Sequence, residues 1–199
     1  RLDLFLEEIF GKCPVKISVK TRLGMEDASE FARLMEIYNQ YPIEELIIHP
    51  RVQKDFYKNT PDLDTYAEAA RSSRIPLCYN GDIFSKQDYE KLILKFPDTD
   101  CIMTGRGILK DPSLARQLRG GKGADKAELR RFHDLLYAGY CEEMSGDRTI
   151  LFKMKELWTY LAPLFADSKK YTKKIKKAEK CAVYEQLVDE LFAGTELQP

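Results

Sequence analysis

The sequence predicts an α/β fold: a TIM-barrel portion of about four consecutive βα units, followed by a small all-α domain. Three observations lead there. Four short apolar or alternating runs each end in a polar or glycine-rich loop, stretches of helical spacing separate them, and the strand-like runs stop beyond a glycine-rich break, RGGKGADK, at residues 119–126.

The first run, VKISVK at 15–20, leads into TRLG; the second, LIIH at 46–49, leads into PRVQ. The third, Ile75 to Cys78, leads into YNGDIFS, and the fourth, CIMT at 101–104, leads into GRG. Between the first two, DASEFARLMEIYNQY opens on Asp27 or Ser29 as a cap and places Phe31, Leu34, Met35 and Tyr38 on one face. DLDTYAEAARSS repeats the pattern with Leu63, Tyr66 and Ala70, and SKQDYEKLILKF opens on Ser85 with Tyr89, Leu92 and Ile93 as its apolar face. A strand therefore begins about every 25 to 31 residues, the period of a βα unit in a parallel sheet. Lys20, His49, Asn80 with Asp82, and Gly105 with Arg106 all stand where strands end, and in a βα barrel those ends converge on one mouth. The sequence contains no GxGxxG or GxxxxGK[ST], the glycine signatures of doubly wound nucleotide-binding sheets.

Beyond the break, residues 125–144 place Leu129, Phe132, Leu136 and Tyr140 along one helical stripe. TILFKMKELWTYLAPLF does the same with Ile150, Met154, Trp158 and Leu161 before Pro163 ends or kinks it, and a last stripe runs through Tyr184, Leu187 or Val188, and Leu191. The expected domains are thus residues 1–120 and 125–199.

The 199 residues carry a formal net charge of zero, which argues against a uniformly basic nucleic-acid binder, yet KKYTKKIKKAEK at 169–180 is locally basic. At helical spacing Lys169, Lys173, Lys176 and Lys180 share one side, either an RNA-facing stripe or a solvated face. No run of eighteen apolar residues predicts a membrane span, and no signal-peptide pattern opens the chain. It begins on Arg1 instead of Met, from which a trimmed chain is expected. The cysteines at 13, 78, 101, 141 and 181 lack CxxC spacing, so they are expected as small buried hydrophobes in a reducing, cytoplasmic setting, with no structural zinc. His133 is expected on a polar helix face in a structural role, and Trp158 and Tyr160 as core or surface aromatics of the helical domain. Arg22 has three destinations open to it: RNA, a cofactor, or an acidic neighbour.

Taken in order, VKISVKTRLG, LIIHPR, PLCYNGDIFS and CIMTGRGILKDPSL resemble the tRNA-dihydrouridine synthases. The resemblance covers residues from about Val15 to Leu118 well and the helical region loosely. It implies FMN as cofactor, NADPH as reductant, tRNA as partner, and reduction of selected uridines to 5,6-dihydrouridine. It also implies that these four units are the second half of the barrel and that a helical tRNA-binding domain follows. By that likeness Lys20 and His49 contact the flavin ring, Asn80, Gly81 and Asp82 its phosphate and ribityl end, and Gly105 with Arg106 a second phosphate contact. The family's proton-donating cysteine has no match among these five, so no catalytic residue is assigned and this chain alone is expected to be inactive. HPR replaces the more usual HGR or HAR, and an isolated half barrel is expected to self-associate or to belong to a larger protein. Two other readings fit the same residues: another FMN barrel acting on a small molecule, and a non-catalytic RNA-binding remnant.

Overall fold

In the computed structural model, which describes residues 1–198, four short strands form one parallel sheet in the order β1-β2-β3-β4. They are β1 (Val19–Arg22), β2 (Leu46–His49), β3 (Leu77–Tyr79) and β4 (Cys101–Ile102). Neighbours in the sheet are neighbours in sequence, without the reversal of order that marks a doubly wound fold. The observed class is α/β, as the patterning predicts.

Register explains which residues share a face. Lys20 pairs with Ile47, Ile47 with Cys78 and Cys78 with Cys101, while Arg22 pairs with His49. Side chains alternate along a strand, so these residues line one face and Thr21, Ile48, Tyr79 and Ile102 line the other. That second face carries helices. Four helices belong to this part of the chain: α1 (Leu2–Lys12), α2 (Glu30–Tyr38), α3 (Leu63–Ser72) and α4 (Lys86–Lys95). From α2, Tyr38 donates its hydroxyl to Thr21 Oγ1 at 2.9 Å; from α3, Tyr66 meets Tyr79 edge-on at 5.1 Å. Leu46 and Ile48, fully buried, make β2 the centre of this layer.

Local signals set the boundaries. Asp62 caps α3 by accepting from the backbone N–H of Asp64 and Thr65. At α2, Asp27 Oδ1 accepts from the Ser29 N–H at 2.8 Å, in keeping with one of the two expected caps. Ser29 occupies the cap position without a side-chain bond, and the Glu30 carboxylate accepts from the N–H groups of Met25, Glu26 and Asp27. Strand β1 also lies later than the VKISVK run, because its partner spans only Leu46 to His49 and pairing starts at Val19; Val15 is exposed. In α3, Ala69 is buried beside Tyr66, where the spacing named Ala70.

Two compact units divide the chain: residues 1–83 with 87–104, and residues 84–86 with 105–198. The division falls before the RGGKGADK stretch, because α5 (Arg106–Lys110) packs on helices of the second unit. That unit continues with α6 (Leu114–Leu118), α7 (Lys126–Glu143), α8 (Asp147–Leu161), α9 (Lys169–Ile175) and α10 (Cys181–Gly194). Gly120, with φ of 84°, ends α6 in the left-handed turn that glycine tolerates. Asp125 and Glu128 form a reciprocal capping box at α7, and Arg116 holds Glu128 on both oxygens at 2.8 Å. Along α8, Ile150, Met154, Trp158 and Leu161 are all buried, joined by Tyr184, Val188 and Leu191 of α10. Pro163 lies in the short 3-10 turn that follows α8.

His133 does not sit on a polar face. It is 2 % exposed, because α7 turns it into the aromatic centre between Trp158 and Tyr184. Tyr184 donates to Nε2 at 2.5 Å, Trp158 Nε1 donates to the Tyr184 oxygen at 2.9 Å, and His133 Nδ1 donates to Asp134 at 2.8 Å. Burial lowers the His133 pKa, so the ring is neutral and this tautomer satisfies every partner.

Candidate functional site

The open face of the sheet gathers cationic groups at the C-terminal strand ends. Lys20, expected where the first strand ends, instead stands second in β1, level with Ile47 and two residues before the strand end at Arg22, because pairing starts only at Val19. It is exposed, its pKa lowered by loss of hydration and then by the Arg22 charge. Within the protein, Arg22 is anchored by backbone carbonyls and an aromatic ring. It donates to the carbonyls of Val52 at 2.9 Å and Phe56 at 3.2 Å, and its guanidinium lies 5.6 Å from the centre of the Tyr57 ring. Tyr57, 56 % exposed, also stands 5.8 Å from His49. Beside it, Phe56 is 66 % exposed and holds a left-handed φ of 51°, a costly conformation outside glycine. The loop after β2 thus presents two aromatic rings beside two cations.

His49 closes β2 and is buried. Its pKa is pushed down to about 4, first by burial and then by Arg22, Arg51 and Lys20, so the imidazole is neutral at physiological pH. Arg51 Nη1 stands 3.0 Å from His49 Nε2. Guanidinium has no acceptor, so Nε2 accepts and Nδ1 carries the ring proton.

The HPR motif also carries Arg51, which the strand-end pattern does not single out. The residue is 2 % exposed. Its Nε donates to the Asn59 carbonyl, and its two terminal amines engage both oxygens of Asp82 as well as His49. A buried arginine in such a fork requires a carboxylate beside it. Asp82, in the loop after β3, provides it.

That pairing tells what the Asn-Gly-Asp loop does within the protein. Asn80 donates its side-chain amide to the Met103 carbonyl at 2.8 Å and its backbone N–H to Ile48 at 2.9 Å, tying the exits of β2, β3 and β4 together. Gly81 leaves room for Tyr79, because a Cβ at this position would collide with the tyrosine ring and hydroxyl. Asn80, Gly81 and Asp82 thus shape the strand ends around His49.

Gly105 and Arg106 lie in the second unit, at the start of α5. A Cβ at Gly105 would meet open space, and Arg106 lies 5.3 Å from the Phe84 ring centre. The lysine stripe is broken. Lys169 and Lys173 belong to α9, but Ile175 is fully buried and Ala178 nearly so, which turns the chain; Lys176 follows α9 and Lys180 precedes α10. All four lysines are exposed. Lys180 lies 3.9 Å from Asp147.

The family model described as "Dihydrouridine synthase (Dus)" matches residues 2–196. The chain belongs to the dihydrouridine synthase family. Among its curated relatives, the tRNA-dihydrouridine(16) synthase of Cupriavidus necator is 26 % identical over 165 residues, covering 76 % of this chain and 50 % of that protein. The tRNA-dihydrouridine(16) synthase of Neisseria meningitidis is 31 % identical over 137 residues, 63 % of this chain and 41 % of that protein. A probable tRNA-dihydrouridine synthase of Helicobacter pylori is 29 % identical over 147 residues, 72 % and 43 % respectively. The chain spans about half the length of the curated relatives it matches. Among the described residues no helix is long and apolar enough to cross a membrane.

Proposed function

We propose that this chain forms the second half of an FMN-binding TIM barrel and a helical tRNA-binding domain, in a cytoplasmic enzyme that reduces tRNA uridine to 5,6-dihydrouridine with NADPH. The observation that carries the reading is the row of Lys20, Arg22 and neutral His49 on one face of two paired strands, in a chain matched by the dihydrouridine synthase family over residues 2–196.

The donor set suits a flavin ring. Lys20 holds an exposed positive charge on the open face, and the Nδ1–H of His49 is a neutral donor that survives mild acid. When bound, FMN supplies the hydride that saturates the uracil double bond. Lys20 steadies negative charge at the cofactor, His49 donates a hydrogen bond without carrying charge of its own, and Arg51 keeps that donor oriented. Arg22 and Tyr57 offer a cation and a flat ring to a base turned out of the RNA stack. Gly105 and Arg106 bring an open backbone and a guanidinium, chemistry that suits a phosphate.

The proton for the second uracil carbon comes, on this reading, from a group outside these residues. Cys13 follows α1, Cys78 and Cys101 lie within β3 and β4, and Cys141 and Cys181 belong to α7 and α10. Strands β1 and β4 each have one neighbour in the sheet, so the first half of a barrel, or a second copy of the chain, covers their outer edges.

The test is tRNA reduction by the full-length protein. NADPH-dependent dihydrouridine formation that drops on the order of a hundredfold in Lys20→Ala supports the reading. Unmodified tRNA after incubation with folded, flavin-loaded protein would sink it.

A further inference from the structure

The face that bears Lys20 also carries Glu45, Cys78 and Cys101, which the proposed reduction does not use. Cys78 and Cys101 are direct partners on β3 and β4, and Glu45 stands two residues before Ile47, the partner of Cys78 on β2. Two adjacent strands and the residue that leads into a third thus bring two sulfurs and a carboxylate together. Their ligand atoms all lie within 4.8 Å of one another.

We propose that Glu45, Cys78 and Cys101 form a binding site for a divalent cation of borderline softness, with Zn²⁺ the best match. The inference is independent of the flavin reading. In a tetrahedral zinc site with bonds of about 2.3 Å, two sulfurs stand about 3.8 Å apart, so closing this cluster takes side-chain shifts of roughly 1 Å or less. Two thiolates exclude Mg²⁺ and Ca²⁺, which take oxygen ligands.

The surroundings support the assignment. Glu45 and Cys101 line a cleft of about 640 Å³, which gives an ion a path and leaves a fourth position for water. Three anionic ligands on a divalent ion leave one negative charge, and the Lys20 ammonium lies on the same face, in register with Cys78 across β2. Cys101 hydrogen-bonds both Cys78 and Glu45, so the three groups already converge. An incoming ion would displace the thiol protons. The missing CxxC spacing is no obstacle, since the ligands come from β3, β4 and the residue that leads into β2.

The test is a Co²⁺ titration of the metal-free, reduced chain, followed by displacement with Zn²⁺ alone. The expected result is one equivalent of Co²⁺ showing the near-ultraviolet thiolate-to-cobalt band, bleached by Zn²⁺. Cys101→Ser and Glu45→Gln, at half-buried positions, should keep the far-ultraviolet circular dichroism and weaken Zn²⁺ binding by more than about tenfold. Cys141→Ser, on the exposed face of α7, should change nothing. A folded chain without the thiolate band, or a band that survives Cys101→Ser, overturns the proposal.

Discussion

Arg51 donates to Nε2 of His49 at 3.0 Å while its terminal amines hold both oxygens of Asp82. One buried guanidinium therefore fixes the tautomer of the strand-end imidazole and the position of the loop after β3. Structure and site chemistry meet in this residue.

Replacing it should be costly to both. Arg51→Ala removes one partner of a largely buried ion pair and is expected to destabilise the protein by about 3 kcal/mol, read from urea unfolding. Arg51→Lys should recover only a small part, since an ammonium cannot span Asp82, His49 and Asn59 together.

His49 makes a directional prediction for pH. Its folded pKa, about 4, lies below its ordinary value of 6.5, so protonation opposes folding. The stabilising contribution is whole above about 6.5 and is lost as pH falls towards about 4. His133 is lowered as well and acts in the same sense. Unfolding free energy measured from pH 7 down to 4 should fall more steeply in the wild type than in His49→Asn. Parallel curves would mean that His49 does not resist protonation.

In the helical unit, Tyr184 is the shared partner of His133 and Trp158. Tyr184→Phe keeps the packing but strands a buried indole N–H and the imidazole Nε2. A loss of roughly 1 to 3 kcal/mol is expected in thermal or urea unfolding, with circular dichroism unchanged.

If the lysines of residues 169–180 contact tRNA phosphates, affinity should weaken with salt. The double change Lys169→Gln with Lys173→Gln should flatten the slope of log K against log salt by about 0.7 per lost contact. An unchanged slope would make α9 an ordinary solvated face.

Much of this was legible in the sequence, and what escaped has a physical cause. LIIH was read to its true limits because a central parallel strand is apolar on both faces. VKISVK alternates like a strand, but its length in the sheet is set by the partner strand, which no local pattern records. The first helix, α1, escaped although Leu2, Leu6 and Ile9 have helical spacing. His49 ends its strand as the pattern predicts, whereas Lys20 does not, because β1 runs on to Arg22. Arg51 was not legible: a charge after a strand looks exposed until Asp82, thirty-one residues on, closes over it. The convergence of Glu45, Cys78 and Cys101 is likewise a product of register, which no local pattern records.

The most direct measurement is a titration of FMN into the purified chain and, in parallel, into the full-length protein, followed by flavin fluorescence. The account predicts saturable quenching that Lys20→Ala weakens by about tenfold to a hundredfold, the worth of a charged hydrogen bond. Folded protein that leaves the flavin signal unchanged, or binding indifferent to Lys20, would contradict it.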